Sequence, residues 1–154
     1  MELVPCSLDQ LSAATYSFAR GELLTSPLPD CPRATVLLVA FDGAAGNTHQ
    51  DIGTFAFMKA MIVAGLEAWR PEALILDLRR LRYSWGDEMH DTLAAADGWC
   101  RRAFPTAVVV SDLNRVGLTS LVVREMGRDP QDLLFDSIDE AVSALDQQQY
   151  RSKP

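Results

Sequence analysis

At 154 residues, with 48% hydrophobic and 23% charged side chains, the chain has the make-up of one ordinary globular domain. It is large enough to bury about two-thirds of the surface its unfolded form exposes, so it needs no metal or disulfide staple. A net charge of −7 disfavours attraction to phosphate backbones and argues against nucleic acid as a partner.

No apolar run approaches the ~20 residues of a membrane span. The start Met1-Glu2-Leu3-Val4-Pro5 lacks the basic and apolar regions of a secretory signal, so the expected setting is cytoplasmic. Within residues 1–34, Ala14 to Phe18 and Glu22 to Leu24 have strand character and Pro27 to Pro32 is turn-like, which predicts an edge strand or hairpin. From Thr35 the run Thr-Val-Leu-Leu-Val-Ala-Phe is apolar, β-branched and of strand length, as a central strand buried on both faces requires. Asp42, Gly43, Gly46 and Asn47 then read as a turn. It stands where an anion loop would stand but lacks the lysine and the spacing. Thr48 with Asp51 caps a predicted helix that runs to Trp69, with Phe55, Met58, Ile62, Leu66 and Trp69 on its inward stripe and Pro71 stopping it.

Ala73 to Leu78 predicts a second buried strand, and Arg79 to Trp85 a polar and aromatic connection. Gly86, Asp87 and Glu88 open a helix with carboxylates at its positive end. Its inward residues are Met89, Leu93, Ala96 and Cys100, and Arg101 and Arg102 close it. Beyond Pro105, Ala107 to Val110 is a strand. Asn114 to Met126 is a helix with Leu118, Leu121, Val122 and Met126 inward and Gly127 as its stop. Leu133 to Phe135 is a short strand. Ser137 with Glu140 forms a capping box for a last helix whose inward stripe is Ile138, Val142 and Leu145. The polar tail Gln147 to Pro154 is expected to fray. The alternation predicts a single α/β domain over residues 1–150, with a mainly parallel or mixed sheet of four to five strands and alternating helices.

The chemistry-bearing residues are few. Cys6, Cys31 and Cys100 are odd in number without metal-site spacing and read as free thiols, Cys100 as a small core residue. His49 and His90 lack a third ligand, so no metal is expected, and His90 reads as a surface residue. No nucleophile elbow, phosphate-binding loop or dinucleotide fingerprint is present, and no cofactor is implied. Arg79, Arg80 and Arg82 cluster before Ser84. They either grip a partner's phosphate or carboxylate together with the next helix start, or pair with the surplus acids. Asp77 either faces a cleft at the strand end or caps the following loop. Trp85 is either exposed for a partner or packed on Tyr83.

Three stretches carry a family resemblance: Ala73 to Tyr83, Ala107 to Ser111 with the following helix, and Phe135 to Leu145. Over about 70% of the chain, residues 35–145, their order resembles the STAS domain, the sulfate-transporter and anti-sigma-factor-antagonist family. That resemblance implies a non-enzymatic bacterial regulatory domain binding a protein partner, or a relative that carries an apolar small molecule. Its working surface would be Arg79, Arg80, Arg82, Ser84, Trp85 and Gly86. The family's antagonists carry a phosphorylatable Ser, the second hydroxyl residue of an Asp-Ser-Ser/Thr-Gly turn, and the nearest match here is Tyr83-Ser84-Trp85-Gly86. Anchored on the glycine, the acceptor position falls on Trp85; counted without a gap from Asp77 it falls on Asp87. Ser84 is the candidate phosphorylation site if the turn is shifted. Tyr83 to Met89 also resembles the Phe-Ser-Ala-Gly-Ala-Asp-Leu segment of crotonase-type enzymes. That implies an acyl-thioester enzyme with the Gly86 amide as oxyanion donor.

Overall fold

Apolar alternation in the strands and apolar stripes on the helices build a five-stranded sheet in the order β1-β2-β3-β4-β5. The computed structural model describes residues 4–23, 33–46 and 51–151. The strands are β1 (Thr15–Glu22), β2 (Thr35–Ala45), β3 (Ala73–Tyr83), β4 (Thr106–Val109) and β5 (Leu134–Phe135). β1 runs antiparallel to β2, and every later neighbour is parallel. The predicted edge strand is therefore β1, and the mixed sheet of five strands is the predicted class. The turn expected over Pro27–Pro32, the Thr48 cap, Cys31 and His49 lie outside the described residues.

The helices are α1 (Asp51–Trp69), α2 (Glu88–Leu93), α3 (Ala95–Cys100), α4 (Arg115–Arg124) and α5 (Ile138–Arg151). One face of the sheet, with Leu37, Val39, Phe41, Leu74, Leu76 and Leu78, packs against the buried sides of α1 to α4. The other face, with Val36, Ala73, Ile75, Ala107 and Val109, packs against Ala141 and Leu145 of α5. Over Ile52–Trp69, α1 is long and apolar enough to cross a membrane, with mean hydropathy 1.3, contrary to the expectation that no such run exists. Its Phe55, Met58, Ile62 and Leu66 are buried in the core, so its apolar side is spent on the sheet. Packing beneath it is close: a Cβ on Gly65 would lie 2.8 Å from the Phe18 ring and 2.9 Å from Leu37.

Several predicted boundaries move. Asp42 to Ala45 is the last part of β2, where a turn was expected, because Gly43, at φ +135°, lets the chain pass 2.6 Å from Ala13 O as measured from a virtual Cβ. The helix expected from Gly86 to Cys100 is two short helices meeting at Ala94. α3 ends on Arg101 in the left-handed region, φ +57°. Cys100 is half-buried rather than core, its thiol donating to Arg102 O at 2.9 Å. Trp69 is 38% exposed; it stacks edge-on against Phe18 at 4.9 Å at the rim of the α1 stripe. α4 starts and stops inside the predicted limits, with Gly127 at φ +59° just beyond it. In the predicted capping box Ser137 Oγ accepts from Glu140 N at 3.2 Å, while the Glu140 carboxylate accepts from Asp136 N rather than from Ser137. The tail from Gln147 continues α5 as far as Arg151, because adding residues to a helix already formed costs little.

The largest difference concerns β3. It was expected to end at Leu78 and instead runs to Tyr83. Between the pairs Ala40↔Asp77 and Asp42↔Arg80, one residue of β2 faces two of β3, Leu78 and Arg79. This is a β-bulge, which switches the parity of the strand. Leu74, Leu76 and Leu78 face α1 before it, and Leu81 and Tyr83 do so after it.

Candidate functional site

The parity switch decides where the predicted site residues go. Arg80 and Arg82 alternate with the buried Leu81 and Tyr83 and are exposed, so they stand on the α5 side of the sheet, away from the start of α2. Arg79, on the bulge, forms a bidentate pair with Asp77, Nε to Oδ1 at 2.9 Å and Nη2 to Oδ2 at 2.8 Å. Arg80 pairs with Asp42 at 2.8 Å. Arg82 makes no ion pair among the described residues. The arginines and the helix start are thus not brought together as one anion grip, and two of the three are already paired with acids.

Asp77 caps the bulge, accepting from Arg79 N at 3.2 Å as well as from its guanidinium. Burial pushes its carboxyl up, but the Arg79 hydrogen bonds outweigh that and hold it below the ordinary carboxylate range. It also lines a shallow polar groove of about 190 Å³ on the α5 side with Thr15, Ser17, Ala40, Asp42 and Arg80.

Residues from the loop before α4 hold the bulge and the turn in place. Asn114, 2% exposed, donates its amide to both Leu78 O and Leu81 O, the latter at 2.8 Å. Its Oδ1 accepts from Ser111 N at 3.1 Å. Ser111 Oγ donates to Arg79 O at 2.7 Å, and Tyr83 N donates to Leu113 O at 3.2 Å. Bulge carbonyls without ladder partners are thereby satisfied inside the protein. Nothing in the sequence near residue 78 announces this clamp, because its donors lie more than thirty residues away.

At the end of β3 the turn is braced from below. The Tyr83 ring is 3% exposed, lies edge-on to Phe55 at 6.3 Å, and donates its hydroxyl to Gly86 O at 2.9 Å. Burial, with Asp87 and Glu88 nearby, pushes its pKa up to about 12. Gly86 sits at φ +135°, a conformation that disfavours any side chain. A Cβ on Gly117 of α4 would lie 2.5 Å from Ser84 O, and one on Gly46 would lie 2.2 Å from Trp85 O. Two glycines thus seat the backbone of the turn between α4 and the end of β2.

Above that base Ser84 is exposed and Trp85 is 68% exposed, which resolves the choice for Trp85 in favour of exposure. The cleft beside it, lined by Tyr83 to Asp87 with Gly117, Ser120, Leu121, Arg124 and Glu125, measures about 140 Å³. That is well below the ~300 Å³ at which small-molecule sites begin. The Gly86 carbonyl is occupied by Tyr83 and by Met89 N at 3.3 Å. Asp87, Glu88 and Asp91 place acids at the start of α2, which has only six residues and already carries its own negative charge. Elsewhere His90 is half-buried with Nδ1 3.9 Å from Asp91. Among the described residues no three His, Cys, Asp or Glu side chains come together as a metal set.

A small α/β domain with one antiparallel edge strand, helices on both faces and an exposed strand-to-helix turn is the STAS-like fold. Among solved structures, the chain is similar to an anti-sigma factor antagonist from Mycobacterium paratuberculosis, with 16% identity and a TM-score of 0.51 over 85% of this chain and 94% of that one. At that identity the likeness establishes the fold. No protein-family model and no curated protein matches the chain. The comparisons give the crotonase-type resemblance of Tyr83 to Met89 no support.

Proposed function

We propose that the chain is a non-enzymatic regulatory domain that binds a protein partner through the turn Tyr83 to Glu88, with Trp85 as its anchor. An anti-sigma factor is the partner class suggested by the structural relative, an anti-sigma factor antagonist. The observation that carries this reading is the contrast within the turn: a backbone seated on Gly46 and Gly117, and an indole left 68% exposed. Exposing a large ring costs solubility, and a rigid aromatic anchor is what protein interfaces use. The cleft of about 140 Å³ is too small for an acyl thioester, which weighs against the enzyme reading.

Ser84 is exposed close in sequence to Asp87 and Glu88, so a phosphate there would add charge to an already acidic rim and alter the binding of a charged partner. Mass spectrometry of kinase-treated protein that places no phosphate on Ser84 would remove that regulatory branch.

The binding test uses the anti-sigma factors encoded in the same genome, measured by calorimetry against the unaltered chain and against Trp85→Ala. The expected result is a loss of about thirtyfold or more, the scale of an interface hot spot. Undiminished binding by that variant would sink the turn as the working surface.

A further inference from the structure

We propose that the outer face of α4, together with Trp85, is a docking surface for an amphipathic helix of a protein partner with basic flanks. This rests on the turn being the partner surface and specifies what the partner presents to it.

Val116, Ser120 and Val123 follow at i, i+4 and i+7 on the side of α4 opposite the buried Leu118, Leu121 and Val122. Val116 is 83% exposed, Val123 52%, Leu113 just before the helix 48%, and Trp85 68%. Single exposed apolar residues are ordinary, but four gathered on one short helix and the adjoining turn mark a surface that is covered in use. Gly117 and Ser120 line the small cleft beside Trp85, on the flank of this stripe. An apolar helix face flanked by small residues accepts the ridge of a partner helix. From Leu113 to Val123 the stripe extends about 15 Å at helical rise, the length of some three helical turns. The close seating of Ser84 O against Gly117 means the turn is fixed against α4 before the partner arrives, so little ordering cost falls on this side.

Charge selects the occupant. Asp87 and Glu125 line the cleft beside Trp85, and exposed Asp112 directly precedes Leu113. Arg115 is tied to Asp136, which leaves Arg124 as the cation among the residues lining the cleft. A rim with this acid excess repels a second copy of the same face and favours lysine or arginine beside the partner's apolar stripe.

The test titrates the full ¹⁵N-labelled chain with two synthetic helical peptides of about 18 residues, long enough to hold helix. Both carry one leucine stripe at i, i+3, i+4 and i+7; one is flanked by lysine and the other by glutamate. The lysine peptide is expected to shift the Trp85 indole and the amides of Val116, Gly117 and Ser120, and to bind at least about tenfold more tightly than the glutamate peptide. Val116→Glu should weaken it about tenfold or more while leaving the rest of the spectrum in place.

Equal binding of the two peptides would overturn the proposal. So would shifts confined to the groove between β5 and α5 around Phe135 and Ser143, or none at millimolar peptide. A concentration-dependent dimer of the free chain that Val116→Glu dissolves would assign the face to a second copy instead. With an anti-sigma partner in hand, Trp85→Ala abolishing binding while Val116→Glu leaves it intact would remove the α4 surface and keep the turn. Normal binding by both variants would remove both.

Discussion

Replacing Asn114 by alanine tests whether the clamp on the β3 bulge sets the position of the turn. The side chain is 2% exposed and satisfies three backbone groups, Leu78 O, Leu81 O and Ser111 N. Each buried group left without a partner costs about 1–3 kcal/mol. Ser111 is only half-buried, so water recovers part of its share, and the expected loss is about 3–5 kcal/mol. Against a typical stability of about 5–15 kcal/mol that is a large fraction. For a chain of this size it corresponds to a drop in Tm of roughly 8–16 °C. Asn114→Asp should be worse than alanine, because it keeps the acceptor for Ser111 N but turns a carboxylate toward two carbonyls. Urea denaturation of the three proteins, with amide spectra of Leu78 to Trp85, reads both the stability and the position of the turn. A loss below about 1 kcal/mol, or an alanine variant with unmoved turn resonances, would refute the assignment of the bulge to this clamp.

Gly117→Ala carries a test of sign. In a helix interior the change ordinarily stabilises by about 1 kcal/mol, but here the new Cβ would lie 2.5 Å from Ser84 O, so a net loss of about 1–3 kcal/mol is expected. A shifted Trp85 fluorescence should accompany it, and a stabilised variant would contradict the seating of the turn. Tyr83, raised to about 12 from an ordinary value near 10, contributes stability that is present below pH ~10 and lost as pH climbs toward 12. Tyr83→Phe should therefore lower the urea midpoint slightly at pH 8, through the lost bond to Gly86 O, yet flatten its decline between pH 10 and 12; an unchanged alkaline slope would count against the buried hydroxyl. Asp77 has the opposite sign. Held below the ordinary range by Arg79, it contributes stability above pH ~4 that disappears as pH falls through its lowered folded value. Asp77→Asn should then be less stable at neutral pH and show a shallower acid limb between pH 5 and 2 in thermal melts.

Much of the scaffold could be read from local pattern. The run Thr35 to Phe41, the stripe Phe55, Met58, Ile62 and Leu66, and the stripe Leu118, Leu121 and Val122 bury the residues that periodicity assigns to them. The resemblance of three stretches to the STAS family anticipated the fold found among solved structures. The exposed turn around Ser84 and Trp85 was also legible, as a break between an apolar strand and an apolar helical stripe. The extension of β3 was not, because Arg79 to Tyr83 has the composition of a loop. A trace of it exists in retrospect: Leu74, Leu76 and Leu78 share one parity and Leu81 and Tyr83 the other, as a single bulge requires.

By itself the sequence determined the order of strands and helices, the class of sheet and the identity of most core residues, since hydrophobic burial follows periods of 2 and 3.6 that neighbouring residues display. Tertiary structure decided which way the arginines face and how firmly the turn is held. Both depend on a bulge whose carbonyls are satisfied by Ser111 and Asn114 and on the close approach of Gly46 and Gly117. Hydrogen bonds and contacts between segments thirty or more residues apart leave no local period, so only the folded chain reveals them.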